Sequence, residues 1–106
     1  MHNNHKELIL KKNGEFLFQE KYKEYGPIKK DEVRVKPLNV GVCSSDIPRC
    51  FDEKAYFYPL IIGHEFVVSV LEDPTNEFLE GQRCAVFPLK PCFKCEGCLD
   101  KQYNKC

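Results

Sequence analysis

The sequence predicts a strand-dominated single domain, most like a small barrel, with little helix and a metal-stapled lobe at its C-terminal end. Three observations carry this. Glu32-Val33-Arg34-Val35-Lys36 alternates charged and apolar side chains, the period of a half-buried strand. Asn13-Gly14 separates two short apolar runs, and that dipeptide is the strongest short-range hairpin signal. The last fifteen residues hold Cys92, Cys95, Cys98 and Cys106 at C-x2-C-x2-C-x7-C.

Residues 1–6 are polar and expected to fray, leaving His2 and His5 as solvated terminal side chains. Residues 7–12 and 15–19 flank Asn13-Gly14 as a hairpin, and Tyr25-Gly26-Pro27 supplies a second turn. The alternating segment 32–36 is a strand. Pro37 brings no N–H to a ladder, which puts that strand at an edge or a bulge. Val40-Gly41-Val42 forms another short extended piece. Ser44-Ser45-Asp46 offers N-cap residues for a short helix over 47–51. An aromatic loop over 55–59 follows, and Leu60-Ile61-Ile62 leads into Gly63-His64-Glu65. Residues 66–71 are β-branched and apolar enough for a buried strand. Asp73-Pro74-Thr75-Asn76 and Glu80-Gly81 turn the chain on either side of 77–79, residues 83–87 form a further strand, and Pro88 and Pro91 bracket the entry to a cysteine lobe over 88–106. There is no internal repeat, low-complexity segment or linker, and 106 residues suit one small domain with an adequate but not generous core.

The cysteine lobe reads as a zinc site. The short spacings put three thiolates on one tight loop, and the seven-residue excursion returns a fourth to close a tetrahedron. A closed four-sulfur shell of this kind is structural. An iron–sulfur run also begins C-x2-C-x2-C, but its fourth Cys follows three residues later and precedes a Pro. Disulfides fit poorly, because three such close cysteines cannot pair efficiently with one another and the total of seven is odd.

A second cluster is looser. Cys43, at the end of an extended piece, and His64-Glu65, in a glycine-opened turn, offer a thiolate, an imidazole and a carboxylate. Three protein ligands with a free fourth position make a catalytic zinc site. Asp46 is placed to hold the other ring nitrogen of His64, and Ser45 to pass a proton at the site. Each residue has a plainer alternative: Cys43 a small buried hydrophobe, His64 a loop histidine, Asp46 a helix-start residue. Cys50 and Cys84 have no ligand-spaced partner and read as ordinary buried thiols.

Composition narrows the partners. Lys and Arg balance Asp and Glu at 16 each, which gives no footprint for nucleic acid or an acidic lipid surface. The start has no apolar h-region, and no apolar run approaches the roughly 18 residues of a spanning helix. Seven cysteines without an export signal point to a reducing, cytoplasmic setting.

Taken together and in order, Gly41-Val42-Cys43 with Ser45-Asp46, then Gly63-His64-Glu65, then the four-cysteine run resemble the zinc-dependent medium-chain alcohol and polyol dehydrogenases, over roughly residues 30–106. Asp46-Ile47-Pro48-Arg49, Tyr58-Pro59, Gly63-His64-Glu65-Phe66 and Pro91-Cys92-Phe93 are similar to the words of one subfamily, the galactitol-1-phosphate 5-dehydrogenases. The resemblance implies a GroES-like, barrel-derived domain with a catalytic zinc at Cys43, His64 and Glu65 and a structural zinc at Cys92, Cys95, Cys98 and Cys106. It implies zinc acting as a Lewis acid on a polyol or alcohol hydroxyl, NAD or NADP as hydride acceptor, Ser45 at the start of a proton relay, and a homo-oligomer. Arg49 could face a substrate phosphate, or be a surface arginine.

This chain departs from the family pattern at Ser44, at Val67-Val68 and at Gln82, which touches local turn geometry more than metal binding. Its six glycines, 14, 26, 41, 63, 81 and 97, cannot form G-x-G-x-x-G, and no βαβ unit for a dinucleotide is present. The expectation is therefore the N-terminal, zinc-binding part of a dehydrogenase, inactive alone. The alternative is a free-standing, non-catalytic zinc-binding interaction module.

Overall fold

Strand pairing in the computed structural model, which describes residues 4–106, is antiparallel throughout. The hairpin signal at Asn13-Gly14 forms as expected. It joins β1 (Asn4–Lys12) to β2 (Glu15–Tyr22), with Leu8 opposite Phe18 and Leu10 opposite Phe16. Gly14 takes φ +70°, a left-handed conformation that glycine tolerates. Two hydrogen bonds tie this turn to the first helix and the residues just after it: Gly14 N–H donates to the Cys50 carbonyl at 2.6 Å, and Glu53 N–H donates to Asn13 Oδ1 at 2.9 Å. Cys50 belongs to α1 (Asp46–Phe51), so the hairpin turn buttresses the helix that carries Asp46 and Arg49.

The second sheet positions the chemistry. β3 (Arg34–Gly41) pairs with β5 (Glu65–Glu72), which pairs in turn with β6 (Arg83–Ala85). Gly41 sits opposite Glu65 at the end of the β3–β5 ladder. Two residues beyond β3 and one residue before β5, Cys43 and His64 therefore leave the sheet side by side. The short β4 (Leu60–Ile61) crosses to β1, completing a sheet ordered β2-β1-β4 beside the sheet ordered β3-β5-β6. Leu10, Val68 and Val70 are the large side chains fully removed from water.

Several expectations need correction. Residues 34–36 and 40–41 of the two expected extended pieces belong to one strand, β3, which leaves out Glu32, Val33 and Val42; its register shifts between Pro37 and Asn39, so the proline is absorbed by a bulge on an edge strand. Residues 4–6 are in β1, and His5 is half-buried with its Nε2 2.7 Å from Glu7 Oε1, because cross-strand pairing with Lys21 extends the hairpin. His2 lies outside the described residues. Around Tyr25-Gly26-Pro27 no backbone turn closes; the hydrogen-bonded turn comes later, where Glu32 N–H donates to the Lys29 carbonyl at 3.2 Å. β6 ends at Ala85, and Cys84 on it is half-buried because the strand lies at a sheet edge. The barrel-derived architecture is open among the described residues: the two sheets share an apolar cleft of about 420 Å³, lined by Leu8, Phe18, Val40, Ile61 and Phe66 among others. Edge strands of two and three residues are too short to zip the sheets together. No helix among the described residues is long and apolar enough to cross a membrane.

Candidate metal centre

Residues 92–106 fold into a lobe around sulfur. Phe93 takes φ +59°, which turns the backbone so that Lys94 N–H and Cys95 N–H both point at Cys92 Sγ, at 3.4 and 3.3 Å. Those two donors stabilise the thiolate and draw the Cys92 thiol down to about 6. Helix α2 (Glu96–Leu99) begins at Cys95 and buries Cys98. A 3-10 turn over Tyr103–Lys105 brings Cys106 back, locked by Gln102 N–H to the Gly97 carbonyl at 2.7 Å. Gly97 is needed for this return: a Cβ there would stand 3.1 Å from Lys105 Cβ and from its carbonyl oxygen. Phe93 and Tyr103 close the lobe edge to face, with centroids 5.8 Å apart.

The four Sγ atoms of Cys92, Cys95, Cys98 and Cys106 all lie within 4.8 Å of one another. Cys92 and Cys98 Sγ are 3.9 Å apart. A disulfide needs about 2.05 Å, whereas zinc at about 2.3 Å from each of four tetrahedral sulfurs separates them by about 3.8 Å. All seven cysteines are free thiols. Thiolates this close repel one another: against the lowering effect of the Cys98 backbone N–H, the Cys98 and Cys92 side chains leave the Cys95 thiol raised. Only a cation at the centre lets all four ionise together, so the donor set fits zinc.

The second cluster is built from the loop ends described above. Cys43 Sγ, a ring nitrogen of His64 and a carboxylate oxygen of Glu65 lie within 4.8 Å of one another. The Cys43 thiol is lowered, first by the Ser45 hydroxyl and backbone N–H and then by His64, with the Glu65 carboxylate opposing. Gly63 delivers His64 to this place. Its φ of +108° is open to glycine, and a Cβ there would overlap Val40 Cγ1.

Asp46 organises the cluster from behind. Its side chain is 3 % exposed. Oδ2 accepts the Cys43 N–H at 2.9 Å while the Asp46 N–H donates to the Cys43 carbonyl at 3.0 Å, a reciprocal clasp. Oδ1 lies 3.3 Å from His64 Nδ1, which places the ring proton on Nδ1 and leaves Nε2 to act as a ligand. Ser45 Oγ is 3.5 Å from that Nε2. Ser45 is the N-cap of α1, yet its hydroxyl makes no capping bond. Arg49 places Nη1 3.5 Å from the same Asp46 Oδ1. That pairing was missed at the level of sequence, although an i,i+3 Asp–Arg spacing on a short helix is the signal that would have found it. Cys50 is buried one turn along α1, and its burial, with Asp46 nearby, pushes the thiol up. A cleft of about 500 Å³ opens beside the cluster, lined by Asn39, Gly41, His64, Glu65, Phe66 and Pro88 among others.

The departures from the family pattern leave the turns intact. Val68 is core and pairs with Pro37 and Cys84. Gln82 Oε1 accepts the Leu79 N–H at 3.0 Å and so closes the turn before β6.

A mostly β domain with a tetrathiolate lobe and a Cys-His-Glu cluster at the end of a strand ladder defines the class of the medium-chain dehydrogenases. Residues 29–106 match the alcohol dehydrogenase GroES-like domain, and the chain belongs to that family. It is 41% identical over 78 residues to galactitol 1-phosphate 5-dehydrogenase of Escherichia coli (strain K12), covering 72% of this chain and 22% of the relative. It is 34% identical over 85 residues to sorbitol dehydrogenase of Bacillus subtilis (strain 168), covering 74% of this chain and 24% of the relative. The crystal structure of galactitol-1-phosphate dehydrogenase from Escherichia coli superimposes with a TM-score of 0.81 at 34% identity, over 96% of this chain and 30% of that one. The chain thus spans less than a third of the length of these relatives.

Proposed function

We propose that this chain is the zinc-binding N-terminal portion of an NAD(P)-dependent oxidoreductase that oxidises a secondary hydroxyl of a polyol, polyol phosphate or alcohol, and that the 106 residues alone do not turn over. The observation that carries the reading is the convergence of Cys43, His64 and Glu65 at one point, beside a separate four-sulfur lobe. Three mixed ligands suit a catalytic ion with a position left for substrate, and four sulfurs suit a structural one.

Cys43, His64 and Glu65 would hold the catalytic zinc, which supplies Lewis-acid polarisation of the substrate hydroxyl and lowers its pKa. Asp46 keeps His64 in the tautomer that offers Nε2. Ser45 stands at the edge of the cluster, where its hydroxyl would relay the substrate proton by taking it up as its own proton passes on, and a nicotinamide in the complete enzyme would supply the hydride acceptor. The cleft over His64 and Glu65 gives the substrate room. The nicotinamide site needs a dinucleotide fold that the glycine pattern of this chain cannot build. The relatives' names support a polyol or polyol phosphate, and the complete enzyme is read as cytoplasmic and homo-oligomeric.

The extent of exposed apolar surface favours this reading over a free-standing zinc module. A stand-alone module would cover its apolar faces, whereas Phe18, Tyr56, Leu79 and Phe87 stand mostly in water here.

Metal analysis is the direct test. The purified chain is expected to hold two zinc ions, falling to one in Cys43→Ser and to one in Cys95→Ser, with the second substitution also lowering thermal stability. One ion or none in the unsubstituted chain would remove the two-site reading. Nicotinamide reduction by the isolated chain with any polyol would overturn the claim that it is inactive alone.

A further inference from the structure

Arg49 stands apart from the ligands but not from their support. Its Nη1 is 3.5 Å from Asp46 Oδ1, the oxygen that also faces His64 Nδ1 at 3.3 Å, while Asp46 Oδ2 receives the Cys43 N–H at 2.9 Å. One buried carboxylate therefore orients both His64 and the backbone of Cys43. That carboxylate is only 3 % exposed, so protein groups rather than water must hold its oxygens in place. Among the described residues, Arg49 is the Lys or Arg that forms an ion pair with Asp46. The arginine is itself largely covered, at 30% exposure, and it sits on the helix that the hairpin turn buttresses through Cys50.

From this geometry we infer that Arg49 is a positioning residue of the Cys43–His64–Glu65 site: its guanidinium braces the Asp46 carboxylate in place, and Asp46 in turn holds His64 and Cys43 in ligating register. This inference rests on the mixed-ligand reading of the cluster given above. It assigns Arg49 inward, to a carboxylate of its own chain, rather than outward to a substrate phosphate. An exposed i,i+3 pair would contribute almost nothing, and the burial of Asp46 is what makes this pair different.

Cobalt titration of the 106-residue chain tests it, because a four-sulfur site and a mixed-ligand site differ in their absorption. Arg49→Gln is expected to weaken cobalt binding at the mixed site by about tenfold, the lower end of the loss seen when an outer partner of a metal ligand is removed. Arg49→Lys, which keeps the positive charge, should recover part of the loss. The tetrathiolate spectrum serves as an internal reference for folding and should not change in either variant. Equal cobalt affinity at the mixed site in Arg49→Gln and the unsubstituted chain would overturn the inference, and loss of inorganic phosphate binding in that same variant would assign Arg49 to an anion instead. An unsubstituted chain that binds cobalt only in the lobe would overturn the mixed-ligand reading itself, a separate and distinguishable failure.

Discussion

Single residues decide whether the Cys43–His64–Glu65 cluster exists. Gly63 shows how sharply: the peptide before His64 turns through φ +108°, and any side chain there would run into Val40. Gly63→Ala is expected to destabilise the chain by about 2–3 kcal/mol, the strain of a left-handed non-glycine position plus the overlap. Metal at the mixed site should weaken with it while the cysteine lobe keeps its ion; an unchanged urea midpoint would show that the loop can reroute. Asp73 makes a second residue-scale case, this time with pH. Its carboxylate accepts the Thr75 hydroxyl at 2.6 Å and the N–H groups of Thr75, Glu77 and Phe78 at 2.8–2.9 Å. The Thr75 hydroxyl bond, with the backbone donors adding to it, holds the Asp73 carboxyl below its ordinary value of 3.8. A depressed folded-state value means that the stabilisation is complete above the unfolded value and is lost as pH falls through the folded one. The stability difference between the metal-free chain and its Asp73→Asn variant should therefore be present at pH 6 and vanish toward pH 2. A difference that persisted at pH 2 would trace to packing instead.

At the scale of elements, what was legible in the sequence is what local chemistry dictates. The Asn13-Gly14 hairpin follows from its turn residues and forms; the short helix after Ser45 forms without a side-chain capping bond; and the β-branched strand over 66–71 forms but is buried only at Val68 and Val70, with Val67 and Leu71 exposed. The cysteine lobe was legible because its ligands are close in sequence. The fusion of 34–36 with 40–41 into β3 was not, since a bulge at Pro37 is set by the register with β5, a non-local partner. The same holds for His5, whose strand is fixed by Lys21 across the hairpin, and for Arg49, whose role depends on a carboxylate buried by other elements. Strand β1 lies between β2 and β4, and its Leu10 is wholly removed from water. Leu10→Ala is expected to cost about 2–4 kcal/mol, because neighbours held in two ladders cannot collapse into the space. Denaturant titration at fixed zinc concentration measures this, and a loss below about 1 kcal/mol would mean that the inter-sheet cleft already leaves the site soft.

The molecule as a whole carries more surface than its mass accounts for. Its accessible area is 8706 Å², against about 6,100 Å² for a compact monomer of 12.4 kDa. The radius of gyration, 16.1 Å, likewise exceeds the roughly 13 Å of a compact domain of this length. The excess is not merely polar loop. Phe18 on the edge strand β2, Ile61 on β4 and the cleft between the sheets form one apolar region, and β2 presents an unpaired backbone edge beside it. With a formal net charge of zero, little long-range repulsion keeps two copies apart. In the isolated chain this region is open to water. The isolated chain is therefore expected to self-associate as its concentration rises through the micromolar range, with the species in sedimentation velocity growing steadily heavier than 12.4 kDa. Phe18→Lys should shift that association to higher concentration because it blunts the edge strand, while the cysteine lobe, none of whose residues lines the cleft, keeps its ion. A sharp, concentration-independent monomer would mean that the sheets close on one another in solution, and the free-standing zinc module would then become the better account of the chain.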